Sequence, residues 1–380
     1  GTMPLMSPPR FIHLRLHSEF SIADSIVRLD DALHAASADH MPALALTDLC
    51  NAFGLVRFYR DASNFGIKAI FGVDAWLTTP TGATHRMLLL AQNQRGYLNL
   101  CQLLSRAWLT NQQHGRAVIN PAWFTERTDT GTLADNLIAL SGAMHGEIGQ
   151  LLGNGNIKGA ESAAQYWAKL SPQRFYIELQ RAGHSGTEYY IEQAIAIAAA
   201  QHLPIVATHP IQFMRPEDYI AHEARVCIAE GELLANANRT KHFTQEQYFK
   251  SQEEMAALFS DLPAALENTL EIAKRCNLEL ELGKPQLPRF PTPDNITLND
   301  YFIQQAKAGL DQRLAHLYPN HIEEHRSRYN ERLAFETDTI IKMGFPGYFL
   351  IVADFINWSK HNDVPVGPGR GSGAGSLVAY

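Results

Sequence analysis

Short apolar runs alternate with amphipathic helical stretches from residue 10 to about residue 225. This alternation constrains the fold strongly, because strand, helix and strand in succession favour a mainly parallel sheet covered by helices. The apolar runs predict strands at residues 11–16, 43–48, 69–77, 86–92, 136–142, 175–180 and 204–209. Helices are predicted between them, for example at 96–109 and 188–201. We therefore expect an α/β fold, and a distorted seven-stranded (β/α) barrel is favoured over a doubly wound sheet.

A second, mostly helical pattern begins near residue 245, and a proline-rich stretch interrupts it. Four prolines fall between residues 285 and 293, which is typical of a linker. We place a domain boundary near residue 281. The prediction is an N-terminal arm at 1–9, in which "GTMPL" resembles an expression remnant, a first domain at 10–281 and a second at 282–380.

Composition excludes some classes of protein. The net charge is −7 and the pI about 6.1, so the chain as a whole does not attract nucleic acid. The four cysteines lie far apart without a C-x-x-C pair, which favours a reducing compartment. No signal peptide or membrane span is visible, so we expect a cytoplasmic protein without a membrane partner.

Histidines and carboxylates stand at the predicted strand ends, where barrel enzymes carry their chemistry. The candidate metal ligands are His17, Asp48, Asp74 and His85. Imidazole and carboxylate suit zinc and manganese, and two or three such ions could hydrolyse a phosphate ester.

Five segments carry a resemblance to known proteins. They are "HLRLHSEFSIADS", "ALALTDLCNAFGLVRFY", "IKAIFGVDAWL", "EQYFKSQEEMAALFSDLPAALENTLEIAKRCN" and "MGFPGYFLIVADFINWSKHNDVPVGPGRGSGAGSLVAY". The chain resembles the PHP (polymerase and histidinol phosphatase) family and, more specifically, the amino-terminal part of the alpha-subunit family of bacterial DNA polymerase III. The resemblance implies a PHP barrel with a metal cluster at its strand ends, followed by an incomplete N-terminal part of a polymerase palm domain.

Several positions depart from the metal pattern of that family. The positions where the family has ligands are occupied by Arg15, Leu49, Ala143, Pro210 and Gln212. None of these side chains replaces the expected donor, and arginine stays cationic with no free lone pair. The predicted metal site is therefore vestigial, with Arg15 in place of a ligand. We expect Arg15 to pair with Asp48 or Asp74; the alternative is that Arg15 points to solvent.

Glycine occupies every second position from Gly367 to Gly375. Such a backbone can approach a ligand closely, and its amides can form an anion nest, so we expect the ligand to be a polyphosphate. The stretch is not a Walker A loop, because no Gly-Lys-Ser/Thr follows. In the polymerase family this segment contacts the triphosphate of the incoming nucleotide. The residues predicted to bind nucleotide are Gly369, Arg370, Gly371, Ser372, Gly373 and Ser376.

The resemblance implies a role in template-directed DNA synthesis by a DNA-directed DNA polymerase, a nucleotidyltransferase. Its Mg²⁺-holding acidic triad lies after the glycine segment, beyond residue 380, so we expect no catalytic residue in this chain and no polymerisation by it alone. The implied partners are DNA, deoxynucleoside triphosphate and the proofreading exonuclease (epsilon) subunit docked on the barrel. The sliding clamp and the clamp-loader tau subunit would bind regions outside this chain. The alternatives are a metal-dependent PHP phosphoesterase or pyrophosphatase, and a pure interaction module.

Overall fold

The computed structural model describes residues 7–367, 369 and 373–380. The chain separates into two compact units, one ending at Leu280 and the other beginning at Glu281. The helices are α1 Leu29–Ala38, α2 Leu55–Asn64, α3 Gln94–Thr110, α4 Glu147–Gly153, α5 Ile157–Leu170, α6 Thr187–Ala200, α7 Tyr219–Glu230, α8 Gln252–Leu258, α9 Pro263–Arg275, α10 Leu298–Leu317, α11 Ile322–Lys342 and α12 Pro346–His361. The strands are β1 Ala43–Leu46, β2 Lys68–Thr78, β3 Thr84–Ala91, β4 Gln112–Gln113, β5 Arg116–Ile119, β6 Arg127–Thr128, β7 Gly131–Thr132, β8 Leu137–Leu140, β9 Phe175–Leu179 and β10 Ile205–Ala207.

The first unit is built on a mixed sheet. Its strands follow the order β10-β9-β8-β3-β2-β5-β4, and β1 pairs with β2. The predicted α/β class is confirmed, and the sheet is mixed, with parallel pairings at β1–β2, β2–β5, β8–β9 and β9–β10 and antiparallel pairings elsewhere. Strand β3 runs antiparallel to both of its neighbours, β2 and β8. The reason is local, because only residues 79–83 join β2 to β3, and so short a connection reverses the chain.

The first predicted strand, 11–16, is not part of the sheet ladder. It runs beside β1 instead, where the Ala45 amide donates to the His13 carbonyl at 3.0 Å and the Thr47 amide to the Leu16 carbonyl at 2.9 Å. The rings of His13 and of His209, which comes shortly after β10, lie 6.4 Å apart. This segment therefore lies between β1 and the end of β10, and seven extended segments follow one another around a distorted barrel.

Local sequence signals explain where several helices begin. The Asn93 side chain accepts from the Gly96 amide at 3.1 Å and caps α3. A capping box between Ser251 and Glu254 starts α8, and Pro263 occupies the first turn of α9, where its missing N–H costs nothing. The predicted helices at 96–109 and 188–201 are confirmed as α3 and α6.

The second unit consists mainly of α10, α11 and α12. Leu310 and Leu314 of α10 and Leu333 of α11 form its buried apolar cluster, against which Leu377 and Val378 pack. Within the described residues, no single helix is long and apolar enough to cross a membrane. Helices α11 and α12 meet that requirement only as a pair, with a bend of 112° between them.

Candidate functional site

Arg15 is 5% exposed and lies at the centre of a cluster of charged side chains at one end of the barrel. Its Nε and Nη2 donate to the two carboxylate oxygens of Glu178 on β9, at 2.8 and 2.9 Å. Its Nη1 donates to Asp74 Oδ2 on β2 at 2.5 Å. Burial lowers the pKa of Arg15, but the charges of Asp74 and Glu178 outweigh it and hold that pKa above its ordinary value. The guanidinium is therefore permanently charged and joins two strands of the sheet.

Asp74 is fully buried and accepts from three cationic side chains. Besides Arg15, these are Arg86, through Nε at 3.1 Å and Nη2, and His17, through Nε2 at 2.7 Å. Burial raises the pKa of Asp74, but the Arg15 and Arg86 charges outweigh it and hold that pKa well below its usual range. Asp74 is therefore a carboxylate whose two oxygens already have cationic partners.

His17 bridges two carboxylates. Its Nδ1 donates to Asp24 and its Nε2 to Asp74. Burial lowers the pKa of His17, but Asp24 and Asp74 more than compensate and raise it to about 9. Burial raises the pKa of Asp24, and the His17 charge overcomes this and lowers it. At neutral pH His17 is thus an imidazolium with both N–H groups engaged.

Six side chains therefore form one set of hydrogen-bonded ions, four of them buried and two, Asp24 and Arg86, partly exposed, which we call the central ion network. Its cations face an equal number of carboxylates, so the formal charges cancel. The members are Arg15, His17, Arg86, Asp24, Asp74 and Glu178.

The expected ion pair of Arg15 forms with Asp74, not with Asp48. Asp48 instead accepts from the Ser18 amide at 2.6 Å, the Ser18 hydroxyl at 2.8 Å and the Ser21 hydroxyl at 2.7 Å. Burial raises the pKa of Asp48, and these hydrogen bonds only partly offset it. Asp48 therefore orders the loop that follows residue 17 and stands outside the central ion network.

The structure does not bring His85, predicted as a member of the vestigial metal site, to the central ion network. In the β2–β3 pair Trp76 stands opposite Arg86, while Leu77 stands opposite His85. Since successive residues of a strand face opposite sides, Arg86 reaches Asp74 and His85 points away. His85 Nε2 lies 3.6 Å from a carboxylate oxygen of Glu147. The centroid of the His85 ring lies 6.4 Å from that of the Trp167 ring.

Sequence reasoning missed two members of the network, Asp24 and Arg86, and placed Glu178 only within the predicted strand 175–180. A signal for Asp24 existed, because it lies seven residues after His17 in the loop that leaves the first extended segment. The signal for Arg86 was the alternation of β3, which places either His85 or Arg86 on the inner face but not both.

Gly142 shows how tightly the backbone packs around this site. Its φ is +87°, and a Cβ atom there would lie 2.2 Å from the Arg86 carbonyl oxygen. Its amide donates to Glu178 Oε1 at 2.9 Å. The neighbouring Ala143 is buried and has no donor atom in its side chain. The backbone therefore supplies Glu178 with a hydrogen bond at this position.

A cavity of about 460 Å³ adjoins the network. Trp76 forms part of its wall, with the guanidinium carbons of Arg86 and Arg116 at 5.5 and 4.2 Å from the indole centroid. Pro210 and Gln212, where the family has a late ligand pair, also line it. In the orientation that satisfies both groups, the Gln212 amide nitrogen donates to Asp24 Oδ2 at 2.8 Å.

These residues do not fit the metal cluster that a PHP barrel implies. The Asp74 carboxylate is occupied by two guanidinium groups, and both His17 nitrogens carry protons donated to carboxylates. Across residues 7–367, 369 and 373–380, no group of three or more His, Cys, Asp and Glu side chains has the arrangement of a metal site. Chemically, the cluster is a neutral ionic cross-link between strands.

The predicted nucleotide segment lies in the second unit. Gly369 and Gly373 are exposed, and the Ser376 hydroxyl donates to Glu336 at 2.8 Å. Arg370, Gly371 and Ser372 lie outside the described residues. A role for any of these positions in nucleotide binding stays a prediction.

Two family models match the chain. Residues 13–182 match the PHP domain, and residues 300–380 match the bacterial DNA polymerase III alpha NTPase domain. The first unit is therefore a PHP-type barrel. The chain therefore contains a PHP domain, followed by a match to the bacterial DNA polymerase III alpha NTPase domain.

Individual relatives agree with this. The chain is 48% identical over 379 residues to DNA polymerase III subunit alpha of Pseudomonas fluorescens, a match that covers 98% of this chain and 32% of that protein. It is 48% identical over 381 residues to the same subunit of Neisseria meningitidis, covering 99% and 33%. The chain thus spans about a third of the length of these relatives. An amidohydrolase structure from Chromobacterium violaceum matches with a TM-score of 0.37 and 15% identity, covering 56% of this chain and 96% of that one.

Proposed function

We propose that this chain is part of the catalytic subunit of a bacterial replicative DNA polymerase. The observation that carries the proposal is the 48% identity with a DNA polymerase III alpha subunit in a match that covers 98% of the chain. The two matched family models also follow each other in one chain, as the proposal requires. The reaction of the whole subunit would be attack of a primer 3′-hydroxyl on the α-phosphorus of a deoxynucleoside triphosphate, with release of pyrophosphate.

The glycine segment would hold the triphosphate in that reaction. Exposed glycines leave backbone N–H groups accessible to phosphate oxygens. Mg²⁺ would be held by carboxylates that the family carries after this segment, and it would stabilise the charge that develops on the phosphates. Within residues 1–380 we propose nucleotide contacts and no catalytic residue.

The PHP-type barrel would act as a scaffold that docks the proofreading exonuclease subunit. The central ion network supports this role, because it joins the first extended segment, β2, β3 and β9 and uses the Asp74 and His17 donor atoms in ion pairs. The DNA partner and the cytoplasmic location predicted from the sequence belong to the same proposal. The phosphoesterase alternative loses support, since His17 and Asp74 are already engaged in ion pairs.

Primer extension by the full-length protein tests the first part. We expect template-dependent incorporation that needs Mg²⁺, and a folded full-length protein that extends no primer would reject the proposal. The scaffold role is tested by sedimentation of the chain with the exonuclease subunit, and by a phosphatase assay with added Mn²⁺. We expect a complex and no turnover. Turnover that Asp74→Asn abolishes would restore the phosphoesterase reading.

A further inference from the structure

Glu336 on α11 connects that helix to the residues that follow the glycine segment. It is 7% exposed. Its carboxylate accepts from the Ser376 hydroxyl at 2.8 Å, the Leu377 amide at 3.1 Å and the Val378 amide at 3.4 Å. Burial raises the pKa of Glu336, but its hydrogen bonds, led by that of Ser376, outweigh burial and hold the pKa below its ordinary value. Glu336 is therefore ionised and caps three donors in consecutive residues.

Further contacts hold residues 376–380 in place. Leu377 and Val378 pack on the buried apolar cluster of α10 and α11. Arg313 Nη2 donates to the Tyr380 carbonyl at 2.9 Å, and its guanidinium carbon lies 4.5 Å from the centroid of the Tyr380 ring. This part of the chain is thus fixed by apolar packing, by an aromatic contact and by the Glu336 cap.

The glycines just before this segment have open surroundings. A Cβ atom added at Gly367, Gly369, Gly373 or Gly375 would meet nothing within 4 Å. The described part of the glycine segment therefore has few contacts of its own. Its position depends on the elements to which it is joined, α12 on one side and residues 376–380 on the other.

We propose that Glu336 is a positioning residue of the nucleotide site. It fixes the C-terminal end of the glycine segment, and Ser376 is part of this anchor and not a ligand of the triphosphate. This inference rests on the proposed polymerase function and deepens it. Because the carboxylate occupies the amides of Leu377 and Val378, those N–H groups are not free for a phosphate, and its negative charge repels one there. The triphosphate is therefore confined to backbone that precedes Ser376.

Anchoring one end of an otherwise open loop reduces the conformational freedom lost when the nucleotide binds. Loss of the anchor should therefore weaken nucleotide binding more than it slows the chemical step. This separates a positioning role from a purely structural one, which would lower the amount of active protein and leave the KM unchanged.

The experiment uses full-length polymerase and steady-state primer extension with varied deoxynucleoside triphosphate. Glu336→Ala removes a charged hydrogen-bond acceptor, so we expect the KM for the nucleotide to rise about tenfold. We expect kcat to change much less. Glu336→Gln keeps an acceptor oxygen and should give an intermediate KM. The matched control is Glu331→Gln on the same helix, which makes the same charge change at an exposed residue and should leave both constants unchanged.

Several results would overturn the inference. One is a folded Glu336→Ala variant whose KM for the nucleotide is unchanged or whose defect is confined to kcat. Another is a Glu331→Gln variant whose KM rises as much as that of Glu336→Gln. If Glu336→Ala does not fold, Ser376→Ala and Ser376→Thr decide. Alanine should raise the KM and speed hydrogen exchange at residues 377 and 378, and threonine should restore both; faster exchange without a KM change would reject the role.

A double variant distinguishes an anchor from a direct ligand. Because the Ser376 hydroxyl acts through its hydrogen bond to Glu336, Glu336→Ala with Ser376→Ala should raise the KM no more than Glu336→Ala alone does. Multiplicative effects would show that Ser376 contacts the triphosphate independently. A wild-type protein that extends no primer would reject the proposed function itself, whereas normal extension with an unaltered KM in the variants rejects only this inference.

Discussion

Asp74 and Glu336 are both poorly exposed carboxylates, yet the two units satisfy them by different means. Asp74 has no contact with water and is surrounded by Arg15, Arg86 and His17. Glu336 lies near the surface, and its partners are two amides and a hydroxyl together with the Arg332 guanidinium. In the first unit the fully desolvated Asp74 carboxylate is thus balanced by cationic side chains, whereas in the second unit the Glu336 carboxylate combines one exposed guanidinium with neutral donors.

Arg15→Ala is expected to have the largest effect. The substitution leaves the buried carboxylates of Asp74 and Glu178 without the guanidinium that they share. Breaking a buried ion pair in this way costs about 3–5 kcal/mol. Denaturant unfolding of the 380-residue chain measures the loss.

The matched control for that change is Arg57→Ala, which breaks an exposed pair with Asp30 and should cost about 1 kcal/mol or less. Arg15→Lys should rescue little, because one ammonium group cannot reproduce the two-pronged contact with Glu178. Equal losses for Arg15→Ala and Arg57→Ala would show that the network does not stabilise the barrel.

His17 is expected to make stability depend on pH. Its pKa is about 9 in the folded chain, with Asp24, Asp74 and Arg86 facing it, and about 6.5 when unfolded. A raised pKa contributes stability that is fully present below about pH 6.5 and is lost as the pH rises through about 9. We expect the free energy of unfolding to fall by about 2–3 kcal/mol across this window.

Urea titrations at several pH values measure this fall, and His17→Asn isolates it. The difference in unfolding free energy between wild type and variant should shrink as the pH rises from about 6.5 to about 9. A constant difference would mean that His17 is neutral in the folded protein.

Ser376→Ala should have a smaller effect, confined to the second unit. It removes one of the donors to Glu336 while both amides remain, so we expect a local loss of about 1 kcal/mol. Hydrogen exchange of residues 373–380 in the 380-residue chain measures it, while exchange at β2 and β9 should not change. Slower or unaltered exchange at residues 377 and 378 would contradict the cap.

Arg332→Ala should have the smallest effect. The Arg332 side chain is exposed and pairs with Glu336 one helical turn away, a geometry worth about 0.3–0.5 kcal/mol. Thermal unfolding should change within error, and exchange at residues 377 and 378 should stay slow. A loss as large as that of Ser376→Ala would mean that the ion pair, and not the cap, holds Glu336 in position.

Much of the fold could be predicted because its signals are local. Alternating apolar runs located β1, β2, β3, β8, β9 and β10, and helical periodicity located α3 and α6. Residues 11–16 show the same apolar pattern but make no complete ladder, since a pattern reports burial and not the hydrogen-bond partner. The two-residue strands β4, β6 and β7 were missed because they carry no periodicity.

The candidate site could be predicted less completely. Arg15, His17 and Asp74 were placed correctly at one end of the barrel, because each follows or lies within a predicted strand. The sequence did not show which face of the sheet His85 occupies, because a one-residue shift along a strand moves a side chain to the opposite face. Asp24 was missed because it lies in a loop, where no periodicity tells which way a side chain points.

The sequence by itself determined the α/β class, the resemblance to DNA polymerase III alpha subunits, and the presence of an arginine where that resemblance implies a metal ligand, because these depend on residue identity and local periodicity. Only the tertiary structure decided that Arg15 bonds Asp74 and Glu178, that Arg86 and not His85 faces them, and that Glu336 caps residues 376–378. The reason is physical: these contacts join residues between 12 and 163 positions apart, and the register of the strands and the packing of the helices select them.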